Sequence, residues 1–327
     1  MPGCAILGTG LALPERIVGN AELERRVGAP NEWVVARTGI VTRRMVDGSG
    51  EATSDLAVAA ARMALARAGR SAAELDLVIV ATSSGDHLLP ATACLVQAAL
   101  GARGGAFDVN AACAGFVYAL ALADAAIAAG LARTVLLIGA DTLTRHVDED
   151  DRNTAILFGD GAGAVVLGPG EGLLGVTLGA DGRAAGDLCI PAGGSRRPVD
   201  AEALAARAHK IRMNGAEVFR AAVHAMTEGL VAALDAAGLE PRRLRWVVAH
   251  QANARILRGV AERLDLPLEA FWMNLQRLGN TGAASIPIAL AEAVDAGALR
   301  PGDLIGLTAA GAGLVWGAAI VRWPGTA

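Results

Sequence analysis

The sequence predicts a duplicated α/β fold whose two halves share one core. Three observations carry this reading. Strand-like apolar runs alternate with helical ones, the alternation restarts after Gly170, and each half closes in a glycine-punctuated hairpin pattern. At 327 residues the chain is long enough for two core-forming units or one large duplicated unit. No low-complexity linker separates the halves, expected over residues 1–170 and 171–327, so they are expected to pack together.

In the first half, a helix is expected from about Asp55 to Ala68, with Ser54 placed to cap it. The Val/Ile run Leu77–Ala81 then reads as a strand. A second apolar run leads through Phe107 into a long Ala-rich helix that begins near Cys113, and Thr134–Gly139 is the next strand. Thr154–Phe158 and Ala164–Leu167 flank Gly159–Gly163 and read as a hairpin. The glycine-rich FGDGAG stretch by itself is weak evidence for a phosphate site, and the turn reading is preferred. In the second half, Leu173–Leu178 is a strand, and residues 181–212 are polar and irregular. A helix is expected from about Gly215 to Ala237, a strand over Trp246–Ala249, and a helix from about Asn253 to Leu264. A further helix covers Ser285–Ala296, and Leu304–Thr308 with Val315–Trp323 form the closing hairpin.

Composition narrows the function. The formal net charge of −4 suggests no general nucleic-acid or membrane-surface role. Cys4, Cys94, Cys113 and Cys189 fall in no CxxC spacing, which argues against a zinc site or a dithiol motif, and their isolation fits a reducing cytoplasm. Residues 1–20 lack the basic start and long apolar run of a signal peptide. Residues 111–132 carry one charge, Asp124, and residues 304–321 carry none, so both invite a membrane reading. Glycines break the second into strand, turn and strand. The first is dominated by Ala and Gly and reads as a helix buried on all sides.

Three residues stand where chemistry is expected. Cys113 lies at a strand-to-helix junction in DVNAACAGF. A helix N-terminus favours thiolate over thiol, and the small neighbours leave room for a substrate. A cysteine in an Ala-rich segment also packs as a small hydrophobe. His250 in AHQANARI lies where a strand ends and a helix begins, with Asn253 placed to cap that helix. Asn280 in GNTGAAS sits in a glycine-flanked loop before a helix, as a turn residue or as a donor aimed into a site. Singly, His250 and Asn280 are structural as readily as functional. Together the three form a Cys, a His and an Asn, each at an element terminus, one from the first half and two from the second.

Six segments in order, NEWVVARTGI, DVNAACAGF, DDRNTAILFGDGAG, AHQANARI, GNTGAAS and GAGLVWGAA, make the chain resemble the β-ketoacyl-acyl carrier protein synthase III family. These are decarboxylating condensing enzymes of the thiolase fold. The resemblance covers nearly the whole chain. It implies two duplicated α/β halves forming a five-layered α-β-α-β-α core. It also implies a cytoplasmic homodimer that acts on an acyl-CoA and a malonyl-acyl carrier protein, with no permanently bound cofactor and no metal.

The resemblance implies roles residue by residue. Cys113 would take the acyl group. His250 and Asn280 would bind the malonyl thioester carbonyl and stabilise the enolate left by decarboxylation. The backbone N–H groups of Cys113 and Ala312 would form the oxyanion hole. Trp33 and Arg152 would sandwich the CoA adenine, Arg37 would lie near the pyrophosphate, and Asn253 would contact the pantetheine arm. Arg220, Arg255, Arg258 and Arg263 would present a basic face to the acidic carrier protein, with solvated arginines as the competing reading.

The sequence departs from the family pattern around the acyl site. Leu88 and Leu89 stand where many relatives carry an aromatic residue that limits the pocket from across the dimer. Ala310 replaces a bulky aromatic, Ala312 replaces a glycine, and Leu278 stands where a His is frequent. The smaller side chains suggest an acyl starter longer or more branched than acetyl. Open alternatives are a role in specialised polyketide metabolism, including the joining of two carrier-bound chains, a non-condensing acyltransferase, and a structural partner subunit. Retention of Cys113, His250 and Asn280 speaks against the last two.

Overall fold

The computed structural model describes residues 3–48 and 50–324. Its frame is two sheets with matching strand orders. The first runs Cys4–Ala12, Gly161–Pro169, Val135–Asp141, Leu77–Ala81, Gly105–Val109. The second runs Leu173–Ala180, Val315–Arg322, Leu304–Gly311, Trp246–Ala249. In both sheets the first two pairings along this order are antiparallel and the third is parallel. Gly105–Val109 pairs in parallel beyond Leu77–Ala81, and a single parallel bridge from Val247 to Phe271 stands at the same place in the second sheet.

Side-chain alternation explains the layers. Along Leu77–Ala81, Val78 and Val80 face the helix Thr53–Ala68, against Leu56, Ala57, Ala60 and Ala64. Ile79 and Ala81 face the other way, into the core between the sheets. That central core holds two helices, Gly115–Ala128 and Ser285–Asp295, one from each half, and includes Phe116, Leu120, Ile286 and Leu290. The outer face of the second sheet is covered by Gly215–Ala237 and Ala254–Arg263 through Met226, Leu230, Leu257 and Val260. Helix, sheet, paired helices, sheet and helix make the five layers. The central helices are rich in small residues because sheets press on them from both sides.

Several details differ from the sequence reading. Thr154–Phe158 is not the first arm of a hairpin. Arg152–Ala155 is a short helix whose Asp151 side chain accepts from Asn153 N–H, and Gly161–Pro169 pairs instead with Cys4–Ala12 and Val135–Asp141. Ser54 is not a cap. The Asp55 carboxylate accepts from Ala52 N–H, while Ser54 donates its hydroxyl to Asp86. The polar stretch 181–212 contains a two-strand ribbon, Leu188–Cys189 with Arg212–Met213, and a short helix, Ala201–Ala205. Among the described residues no helix is long and apolar enough to cross a membrane.

Candidate active site

Both halves contribute to one cavity of about 700 Å³. Cys113, His250 and Asn280 all line it, with Trp33, Arg37, Asn253, Ala310 and Ala312. They come from the turn after the strand Gly105–Val109, the junction after Trp246–Ala249, the loop ahead of Ser285–Asp295, the end of the strand Leu304–Gly311 and the helix Asn31–Thr38.

Cys113 sits in the tight helical turn Ala112–Ala114, just ahead of the helix Gly115–Ala128. Ala112 holds a left-handed φ of 43°, a conformation unusual for a residue with a Cβ. This strained turn presents the thiol. The pull of the helix start toward thiolate is opposed by the surrounding protein. Burial first, and the Asp141 charge second, push the Cys113 thiol up to about 12. The backbone of Gly311 presses on this turn: a Cβ built there would stand 2.6 Å from Cys113 N. Ala312 follows directly. Its φ lies outside the left-handed region, so alanine costs this loop no backbone strain, while Gly313 carries the φ of 146°.

His250 follows the strand Trp246–Ala249, with its backbone N–H donated to Thr308 O. It is 2 % exposed, and burial lowers its pKa to about 4, so the imidazole is neutral at physiological pH. Its Nδ1 lies 2.7 Å from Ser285 Oγ, and that oxygen is also 3.0 Å from Gly282 O. When Ser285 turns its proton to Nδ1, Nε2 carries the imidazole proton and becomes a donor. Ser285 closes the GNTGAAS segment, and the sequence reading took it only as a helix start.

Asn280 is anchored across the seam. Its N–H donates to Leu157 O at 2.8 Å, and its C=O accepts from Gly159 N–H at 2.9 Å. Its Oδ1 accepts from Gly282 N–H at 2.9 Å, which leaves its amide NH2 for the cavity. Leu278, in place of the frequent His, is buried at 2 % exposure beside Ala284 and Ile288 and belongs to the core.

The mouth of the cavity carries cations and an aromatic. The Arg152 guanidinium lies 4.0 Å from the centroid of the Trp33 ring, and that of Arg37 lies 4.7 Å from it. The expected adenine slot between Trp33 and Arg152 is thus closed on itself. Asn253 caps the helix Ala254–Arg263 by accepting from Arg255 N–H, and its amide donates to Arg37 O. Arg220 and Arg255 line the mouth, the former paired with Glu217 and the latter 5.2 Å from the Phe219 ring. Arg258 and Arg263 are exposed on the same helix outside the cavity. Leu88 and Leu89 lie away from this chain's cavity on an exposed loop, 91 % and 84 % exposed. Among the described residues no cluster of three His, Cys, Asp or Glu side chains could hold a metal ion.

A thiol, a neutral imidazole and an amide lining one cavity suit carbon–carbon bond formation through an acyl-enzyme. Comparison with known proteins agrees. Residues 107–182 match the family model for 3-oxoacyl-[acyl-carrier-protein] synthase III, and residues 234–323 match the model of its C-terminal part. The β-ketoacyl-[acyl-carrier-protein] synthase III of Roseiflexus castenholzii is 50 % identical over 323 residues, covering 98 % of each chain. The crystal structure of the Aquifex aeolicus synthase III superposes with a TM-score of 0.90 at 44 % identity, covering 98 % of this chain and 100 % of that one. The priming β-ketosynthase of the R1128 polyketide pathway also reaches 0.90, at 34 % identity, covering 100 % of this chain and 98 % of that one. The chain belongs to the β-ketoacyl-[acyl-carrier-protein] synthase III family and is a condensing enzyme of the acyltransferase class.

Proposed function

We propose that this enzyme loads an acyl group from acyl-CoA onto Cys113 and condenses it with a malonyl-acyl carrier protein. The observation that carries the reading is the convergence of Cys113, His250 and Asn280 on one cavity. In the first half-reaction the Cys113 sulfur attacks the acyl thioester, and CoA leaves as its thiol. In the second, the malonyl thioester loses CO2, and its carbonyl oxygen becomes an enolate oxygen held by His250 Nε2–H and the Asn280 amide. The enolate carbon attacks the acyl-Cys113 carbonyl. The resulting oxyanion is held by the N–H groups of Cys113 and Ala312. Its collapse forms the 3-oxoacyl product and returns the Cys113 sulfur, which is reprotonated.

Trp33, Arg37, Arg152 and Asn253 are assigned to CoA, which requires Arg152 to lift from Trp33 to admit the adenine. Arg220, Arg255, Arg258 and Arg263 are assigned to the acidic carrier protein. The homodimer reading is supported by the open edge strand Gly105–Val109, with Phe107 exposed, and by the projecting Leu88 and Leu89. A second copy seated there would bring Leu88 and Leu89 to its partner's acyl site. The repeated strand order supports a division of the chain near Gly170. The unpaired cysteines support a reducing cytoplasmic setting.

A specialised starter, as in polyketide priming, is favoured by one feature. Ala310 lines the cavity in the same buried cluster as Ala222 and Met226, leaving space where a larger side chain would fill it. Intact-mass measurement after incubation with acyl-CoAs of increasing length and branching tests the assignment. Acylation of wild type but not of Cys113→Ala supports it, and labelling by acetyl-CoA alone removes the longer-starter reading.

A further inference from the structure

The two halves repeat more than their strand order. Asn110-Ala111-Ala112-Cys113-Ala114-Gly115 in the first half aligns with Asn280-Thr281-Gly282-Ala283-Ala284-Ser285 in the second. Both segments form a single tight helical turn, Ala112–Ala114 and Gly282–Ala284, followed at once by a central helix. In both, the third residue is left-handed, with φ 43° at Ala112 and 58° at Gly282. In both, the leading Asn side chain accepts from the N–H two residues on, at 3.3 Å and 2.9 Å. Asn280 is therefore the internal twin of Asn110, and Ala283 is the twin of Cys113.

The twin sites differ in what their backbone N–H groups meet. The Cys113 N–H is the proposed oxyanion donor. The Ala283 N–H donates to Asp141 Oδ2 at 2.8 Å. Asp141 is 1 % exposed, and its other oxygen accepts from Thr82 Oγ1 at 3.1 Å, Ser83 N–H at 2.8 Å and Ser84 Oγ at 2.9 Å. All four contacts are donors, the environment of a carboxylate rather than of a carboxamide. Ser83 in turn donates its hydroxyl to Asn110 Oδ1 at 3.3 Å, beside the Cys113 turn. One carboxylate thus ties the turn after Asn280 to the loop that props the nucleophile.

We propose that Asp141 is a positioning residue that fills the second half's vacated oxyanion hole and so fixes Asn280 in register with Cys113. The direct hydrogen bond goes to the Asn280 turn, while hydrogen bonds reach Cys113 only through Ser83 and Asn110, and the Asp141 charge, which after burial holds the thiol protonated, opposes acyl loading rather than aiding it. Loss of the carboxylate therefore falls on the malonyl step more than on acyl loading. The proposal rests on the assignment of Asn280 to the malonyl side.

The test compares Asp141→Asn, Gly282→Ala and Asn280→Ala in the full-length enzyme. Asp141→Asn turns an amide N–H toward donors. Gly282→Ala places a Cβ 2.2 Å from Asp141 Oδ2 and pushes the carboxylate off the Ala283 N–H. The twin Ala112 shows that alanine can hold this left-handed conformation in the same turn. Three quantities are read: acylation of Cys113 by intact mass, kcat for condensation, and KM for a malonyl thioester. In both Asp141→Asn and Gly282→Ala, displacement of Asn280 is expected to lower kcat by roughly 100-fold, with KM little changed and acylation not slowed, since loss of the Asp141 charge in the former eases deprotonation of Cys113. If Asp141→Asn fails to fold, Gly282→Ala decides alone. Normal condensation in these variants overturns the proposal, as does an equal loss of acylation and condensation, which marks a merely structural support. Normal condensation in Asn280→Ala removes the Asn280 assignment and the proposal with it, whereas an inactive Asn280→Ala beside an active Asp141→Asn overturns the Asp141 proposal alone.

Discussion

His250 gives the most quantitative handle on the site. A histidine that is 2 % exposed and has its pKa lowered by burial to about 4 must refuse a proton that the unfolded chain accepts near 6.5. The sign follows from proton counting. Above pH 6.5 neither state is protonated at this ring, and its contribution is fully present. Between 6.5 and 4 the unfolded state binds the proton and the native state does not, so stability falls as pH falls. Below 4 both are protonated, and the loss is complete at about 3 kcal/mol. Asp160 works in the opposite sense. Burial raises its carboxyl to about 6, so the native state gains a proton first as pH falls. Comparing wild type with His250→Gln cancels that contribution. Urea unfolding at fixed protein concentration, at a series of pH values from 7.5 to 4, should show wild type losing about 3 kcal/mol more than the variant. Ring NMR on selectively labelled histidine should place the midpoint of His250 near pH 4. The condensation rate should correspondingly show no acid limb near pH 6.5 from this residue, because its proposed work is to donate as a neutral ring. An NMR midpoint near 6.5, or parallel losses of stability in both proteins, would refute the reasoning.

Other consequences are directly measurable. Ala310→Phe should lower kcat/KM for long or branched acyl-CoAs by roughly 10-fold or more while sparing acetyl-CoA, since the ring would take the space a longer chain needs and such pocket discrimination is worth about 1–3 kcal/mol. Trp33→Ala should raise KM for acyl-CoA by roughly 10-fold, the worth of one stacking contact, and leave an acyl-pantetheine substrate unaffected. Ser285→Ala removes the hydroxyl that faces His250 Nδ1 and should slow condensation by up to roughly 100-fold, with loading of Cys113 retained. Arg258→Glu, a charge reversal on an exposed helix, should raise KM for the malonyl carrier protein and weaken its salt dependence, with malonyl-CoA turnover unchanged.

What the sequence disclosed and what it hid have physical reasons. The helix Gly215–Ala237 was legible end to end because an amphipathic run stops at Gly238, which adopts the left-handed cap. The edge strand Cys4–Ala12 gives a weak sequence signal because Gly8 and Gly10 interrupt its apolar run. They are strand residues with no room for a side chain: a Cβ on either would stand 2.5 Å or less from the backbone of the helix Thr53–Ala68. The short helix Arg152–Ala155 hid behind a β-like composition, and its real signal was the capping Asp151. Cys113, His250 and Asn280 could be singled out because each interrupts an apolar pattern at an element end. Asp141 could not, because it closes the otherwise apolar strand Val135–Asp141 and its donors are scattered from Thr82 to Ala283. The shift of Cys113 toward thiol was equally invisible, since local sequence shows a helix start but not the burial that outweighs it.

The central pair of helices has a consequence for the life of the chain. The helix that follows Cys113 is covered on one side by its own sheet and on the other by strands that begin only at Leu173 and end at Arg322. During synthesis, the first half emerges with an apolar face that nothing of its own can cover. The loops bearing His250, Asn280 and Ala312 arrive later still. A nascent or truncated chain that holds Cys113 therefore lacks both the dry cavity and the donors that make the thiol useful. The cavity that unites Cys113, His250 and Asn280 forms only when translation is nearly complete.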